Sequence, residues 1–414
     1  MTTSAASTPR TGADDVGRPP RRVLAALCVT QVISWGVLYY ALPVALASIT
    51  ADTGWSATGV TAAFSAGLVV SALAGIPVGR WLDRYGPRLV MTAGSVLAVP
   101  ATVGIALAPG FGWFLVAWLV AGVAMAAVFY QAAFAALTRW YGPARVGALT
   151  RLTLVAGLSS TIFAPLTHLL LEHLSWRGTY LVLALVLAVT TVPLHLLALT
   201  PPWTPPLTDQ AAVTDRTAPV PVRSVVTSPG FLLLAGALTV TAFGMYCASL
   251  TLIPLLTGRG MSASLAATTL GLLGAGQLLG RISYAPLTRR TTPTVRTVGV
   301  VAVSAASIAA LAVAPGPAAL LVALAVVTGA VRGAATLLQA TVVADRWGSA
   351  RYGALSGWFA APITAAAAVA PWAGTAIAQS LGSYPAMFAV LAGLVAAAAG
   401  LATVSGRSWP IPAR

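Results

Sequence analysis

The chain has no lysine, a single glutamate (Glu172), three histidines and two cysteines in 414 residues. Each scarcity excludes something. Without clustered carboxylates, or histidines at HExxH-type spacing, the usual parts of metal-assisted hydrolysis and acid–base catalysis are missing. Neither an enzyme activity nor a metal or cofactor is expected. Cys28 and Cys247 both fall inside apolar runs, where a thiol packs as a small hydrophobe. The net charge of +15 raises the question of nucleic acid, but nucleic-acid binders gather their cations on one polar face. Here all 23 basic residues are arginines, scattered as short punctuation between apolar stretches. No nucleic-acid partner is expected.

What fills the chain instead is apolar. It is 58% hydrophobic and 7% charged, with a mean hydropathy of +0.88. No water-soluble domain needs that much apolar surface, so the lipid bilayer is the expected solvent. Twelve candidate spans lie at 23–50, 55–79, 89–109, 113–138, 147–171, 179–199, 231–256, 264–287, 297–314, 317–343, 353–380 and 383–404. Residues 1–22 read as a polar tail, 23–199 as a first six-helix bundle and 231–404 as a second. The stretch 200–230, with its TPPWTPPLTDQ, reads as a linker, and 405–414 as a second tail. Ala45-Leu46-Ala47 resembles a signal cleavage site, yet the apolar run before it is too long for a signal peptide. It is taken as the first transmembrane helix.

The two halves resemble each other. TRWYGPARVGAL (138–149) matches ADRWGSARYGAL (344–355) at a shift of 206 residues, keeping Gly142/Gly348, Ala144/Ala350, Arg145/Arg351 and Gly147/Gly353. Pro165 and Pro371 fall at the same shift, and Gly75 and Gly280 at 205. Matches in order at a near-constant offset indicate duplication. Copies with an even number of spans insert in the same orientation, as parallel repeats. Placing both termini in the cytoplasm puts 19 of the 23 arginines on that side, Arg177 and Arg259 outside, and Arg281 and Arg332 within spans. The positive-inside rule selects that topology, in a cell membrane.

The stretch GRWLDRYGPR (79–88) then falls in the turn between spans two and three. It resembles the signature of the major facilitator superfamily, roughly G-x-x-x-D-R-x-G-R-R. Gly79, Asp83, Arg84, Gly86 and Arg88 fit the pattern, and Pro87 departs from it. The resemblance covers nearly the whole chain. It implies an all-α integral membrane protein of twelve transmembrane helices in two six-helix bundles, functional as a monomer. It also implies a gate in which Asp83 meets the start of helix eleven near Tyr352–Gly353 and the side chain of Arg139. Glycines permit close backbone approach there, and a carboxylate suits a helix N-terminus. In the second half APLTRR (285–290) has Thr288 where Asp83 stands, so a charge latch is expected on one side only.

SWGVLYYALPV (34–44), GWSATGVTAAFS (54–65) and the DRYGPR turn together resemble bacterial members of the monocarboxylate-transporter and oxalate/formate-exchanger branch. An arginine at the bilayer centre costs about 3 kcal/mol on insertion scales and marks a cavity or pathway. Arg332 lies midway between Pro317 and Asp345, and Arg281 about eight residues, or ~12 Å, from the basic turn at Arg289-Arg290. The branch implies that the helix-eight arginine, here Arg281, binds a substrate carboxylate. It also implies an aspartate one turn earlier, where this chain has Gln277. His168 is the candidate for proton coupling, with packing as the alternative. Two buried positive charges and no buried carboxylate favour an anionic cargo. Candidate binding residues are Arg281, Arg332, Gln277, Tyr39, Tyr130, Gln131 and Tyr246, with Trp35, Tyr40 and Phe129 beside them; the alternatives are an interface anchor for Arg281 and hydrogen bonding to helix carbonyls for Arg332. The expected activity is transport of a small organic anion, a monocarboxylate, by alternating access. The alternative is efflux of a hydrophobic neutral or acidic metabolite.

Overall fold

A computed structural model describes residues 21–203 and 221–407. The expected tail over 1–20, most of the linker (204–220) and the end of the second tail (408–414) lie outside the described residues. Ten segments are long and apolar enough to cross a bilayer. Two of these are double. Ala57–Ala106 has 50 residues, which at 1.5 Å each run ~75 Å, more than twice the ~30 Å hydrocarbon core. It turns at Gly86, whose φ of 81° lies in the left-handed region that glycine tolerates. Phe111–His173 turns likewise at Gly142, with φ 46°.

The result is twelve spanning helices: α1 (Arg21–Thr53), α2 (57–85), α3 (87–106), α4 (111–141), α5 (145–173), α6 (Trp176–Ala198), α7 (229–257), α8 (Ala263–Arg290), α9 (Pro293–Val313), α10 (Ala318–Trp347), α11 (Tyr352–Ser380) and α12 (Tyr384–Arg407). A short helix, Val222–Val226, precedes α7. Helices α1–α6 pack on one another, as do α7–α12, and the two sets meet along α2–α11, α5–α8, α4–α11 and α5–α10. The duplication is visible in the backbone. Gly142 and Gly348, equivalent in the repeat, both take positive φ where α4 and α10 end.

Three first-half helices depart from regular geometry beside a central cavity. In α1, Gly36–Tyr40 forms a π-turn. Pro43 lacks the N–H that would bond back into that turn, and the extra residue brings both Tyr39 and Tyr40 to the cavity. In α4, Phe129 is extended (φ −79°, ψ −173°), and the Gln31 amide of α1 donates to the Val128 carbonyl at 2.6 Å. In α5 the helix breaks between Ala156 and Ser159. Irregular backbone at this depth is tolerated where protein or a cavity, not lipid, surrounds it.

Candidate functional site

Close packing of α8 on α10 decides where the two membrane-depth arginines point. A methyl group on Gly276, Gly280, Gly329 or Gly333 would stand 1.7–2.3 Å from a backbone oxygen of the facing helix. Only bare glycine allows that approach, the small-xxx-small device of membrane helices. With Gly276 and Gly280 against α10, the next residue round each turn, Gln277 and Arg281, is rotated by ~100° and lines the cavity. Gly333 faces α8, and its neighbour Arg332 lines the same cavity from α10.

The cavity has a volume of about 310 Å³. All seven sequence-predicted binding residues line it, as do Trp35, Tyr40 and Phe129. Among the described residues no aspartate or glutamate does. The two arginines differ in commitment. Arg281 is buried, and its Nη1 donates to the Thr153 carbonyl of α5 at 2.6 Å. It is therefore a strut between the halves, while among the described residues its Nε has no hydrogen-bond partner. Arg332 stacks over the Tyr246 ring with its Cζ 4.2 Å from the centroid. Among the described residues its guanidinium has no hydrogen-bond partner. Such a group, set over a ring, has N–H donors to offer a planar carboxylate.

Of the remaining predicted residues, Gln131 is partly committed. Its Nε2 donates to the Gly75 carbonyl at 2.9 Å, at the crossing where a methyl on Gly357 would stand 2.6 Å from that oxygen. Tyr130 stacks on Phe134 at 5.1 Å, and Tyr39 packs against Trp35 at 5.3 Å. His168 is not at the cavity. Its side chain is 71% exposed and faces Glu172 of its own helix at 3.4 Å. Sequence reasoning missed Phe134, Thr336, Gln339 and Ser356, which also line the cavity. The only signal for them is helical spacing from the residues it did name, such as Phe134 one turn after Tyr130.

At the end of the bundle bearing Arg21, the halves are tied together. Asp83 accepts the Gly353 N–H at 3.0 Å and the Ala354 N–H at 2.7 Å, at the start of α11. This lies one residue further along than the expected Tyr352–Gly353. Gly79 makes the approach possible, since a methyl there would stand 2.1 Å from the Gly353 carbonyl oxygen. Arg139 reaches the turn through Trp203. It stacks on that indole at 4.5 Å, and the indole N–H donates to the Asp83 carbonyl at 2.9 Å. Gly86 shapes the turn, whereas Arg84 and Arg88 stay within the first half. Arg84 lies over Tyr85, and Arg88 donates to the Leu196 carbonyl at 2.8 Å.

The expectation of a latch on one side only is corrected here. Asp345, which stands where the repeat has Arg139, receives Arg145 from the other half at 2.6 Å and Arg296 from its own. The second half thus supplies its acid from the end of α10 rather than from its own two-three turn. At the opposite end the described ties remain within a half. Asp52 accepts from Trp176 and Arg177, and Arg259 donates to the Ala312 carbonyl.

With this geometry in view, comparison with known proteins places the chain. Residues 27–324 match the sequence profile of the Major Facilitator Superfamily. Monocarboxylate transporter 13 of Rattus norvegicus is 28% identical over 261 residues, 62% of this chain and 57% of that protein. Monocarboxylate transporter 11 of Homo sapiens is 32% identical over 170 residues, 37% of this chain and 32% of that one. The chain thus spans only part of these relatives. Among solved structures, the fucose transporter FucP in its outward conformation superposes with a TM-score of 0.70 at 16% identity, covering 94% of this chain and 99% of that one. The human organic anion transporter MFSD10 gives 0.68 at 16% identity, covering 93% and 100%. At that identity the structures speak for the fold. The chain is a multi-pass membrane protein, and it belongs to the Major Facilitator Superfamily.

Proposed function

We propose that the chain carries a small organic anion of the monocarboxylate kind across the cell membrane by alternating access, as a secondary active or facilitative transporter. One observation carries the reading. Among the described residues, the guanidinium of Arg332 faces a cavity with its donors unspent, and no carboxylate lines that cavity. A partly buried cation that faces a cavity with only a ring beside it is stabilised by an anion, and a cargo carboxylate is the natural complement. Two parallel N–H···O bonds would orient the cargo as well as hold it. The names of the relatives, monocarboxylate transporters of rat and human, agree with this choice.

The latch suggests the cycle. Asp83 and the Asp345–Arg145 pair hold the end that carries most of the arginines, which the positive-inside rule puts in the cytoplasm together with both termini. The described state is then closed inward, with the cargo entering from outside. Rocking of the halves would break both ties and the Arg281–Thr153 strut, opening the cavity inward.

Uptake of acetate, lactate, pyruvate, formate and oxalate into proteoliposomes, with and without a pH gradient, tests the reading. Carboxylate flux that is lost in a folded Arg332→Gln variant supports it. Undiminished flux in that variant refutes it, and passage of neutral hydrophobic compounds alone would favour the efflux alternative.

A further inference from the structure

We infer that the cargo carries a flat apolar body, so that aryl- and indolyl-substituted carboxylates are preferred over two- and three-carbon acids. The inference rests on the anion reading above and concerns the part of the molecule that Arg332 does not touch. The second half brings the charge of Arg332 and the polar groups of Gln277, Thr336 and Gln339, beside the rings of Tyr246, Tyr352 and Phe359. From the first half come rings. Trp35 stacks on Phe129 at 4.2 Å with 9° between planes, and Tyr130 stacks on Phe134 at 5.1 Å with 10°. Trp35 also meets Tyr130 at 5.0 Å, which joins the two stacks into one surface.

Phe129 and Phe134 root that surface in the core, whereas Trp35, Tyr39, Tyr40 and Tyr130 are only partly buried and line the cavity. Tyr39 and Tyr40 line the same cavity as Arg332, so rings and charge share one space. A three-carbon acid on Arg332 would fill a small part of about 310 Å³ and leave the rings against water. A flat body removes apolar area from water on both surfaces and gains ring contact as well. Trp35, at the centre of the wall, is then the residue that determines specificity.

Calorimetric binding to the purified full chain tests this, with acetate, lactate, phenylacetate, indole-3-acetate and the uncharged phenylacetamide as probes. Phenylacetate and indole-3-acetate are expected to bind at least tenfold more tightly than acetate or lactate. Trp35→Leu should weaken the aryl acids about tenfold and leave acetate within about twofold, while Arg332→Gln weakens every carboxylate. Phe129→Leu carries the same prediction if Trp35→Leu melts early. Equal binding of lactate and phenylacetate, with the Trp35 and Phe129 variants changing neither, overturns this inference and leaves the anion reading standing. Binding of phenylacetamide equal to phenylacetate, unmoved by Arg332→Gln, overturns both. So does binding of none of the carboxylates.

Discussion

At the scale of the residue, two arginines of the same type at similar depth have different work. Arg332 rests on Tyr246 with its donors free among the described residues, whereas Arg281 spends a donor on a carbonyl of the other half. Hydrogen bonds to charged groups contribute about 1.5–3 kcal/mol, so Arg332→Gln should weaken carboxylate binding roughly 10- to 100-fold. Arg332→Lys should recover only part, because an ammonium neither lies flat on the ring nor grips with two bonds. Calorimetry on the three proteins checks the order. Arg281→Gln should mainly alter the balance of inward- and outward-facing states, read by labelling of introduced cysteines. His168→Ala should leave the pH dependence of flux unchanged, since that side chain faces Glu172 away from the cavity. The depth of both arginines was legible, because a charge inside an apolar run stands out. Their partners were not, since Thr153 lies 128 positions from Arg281 and only packing brings them together.

At the scale of the element, backbone approach decides the outcome. The α2–α11 crossing closes because position 79 has no side chain, and a methyl there would collide with the Gly353 carbonyl oxygen at 2.1 Å. Overpacking of this kind costs about 1–3 kcal/mol. Gly79→Ala should therefore push α2 from α11, raising labelling of cysteines on the latch side or lowering the melting temperature. The glycine turns at 86 and 142 were readable from residue type. The break in α4 was not, because AMAAVFYQAAF (124–134) contains neither proline nor glycine. That break is held by the Gln31 amide on the Val128 carbonyl, 97 positions away. Gln31→Leu leaves a buried carbonyl short of its donor at about 1–3 kcal/mol. It should lower the melting temperature and disturb the ring wall beside Phe129.

At the scale of the whole molecule, the two halves are held at one end by two anionic ties of different construction. Asp83 receives two backbone N–H groups at the start of α11, and Asp345 receives Arg145 across the gap. Asp83→Asn replaces one acceptor oxygen by a donor amide and leaves a backbone N–H unmatched. Asp345→Asn removes the charge that joins Arg145 to Arg296. Each should populate the state open at the latch end, seen as faster labelling of cysteines placed there. With no shared partner among their described contacts, the two effects should add in the double variant. Unchanged labelling in both single variants would leave these residues as anchors of topology alone.

Membrane residence, twelve spans, internal duplication and the positions of the cavity-facing arginines were determined by the sequence alone. Hydropathy, charge placement and repeat spacing are local properties, and a bilayer turns them into topology through the cost of burying polar groups. The tertiary structure alone decided which arginine is free, that α4 breaks at Phe129, that Trp203 backs the Asp83 turn, and that Asp345 ties the halves a second time. Each of these depends on a hydrogen bond, ion pair or ring contact between side chains remote in sequence. Such commitments exist only once the helices have packed.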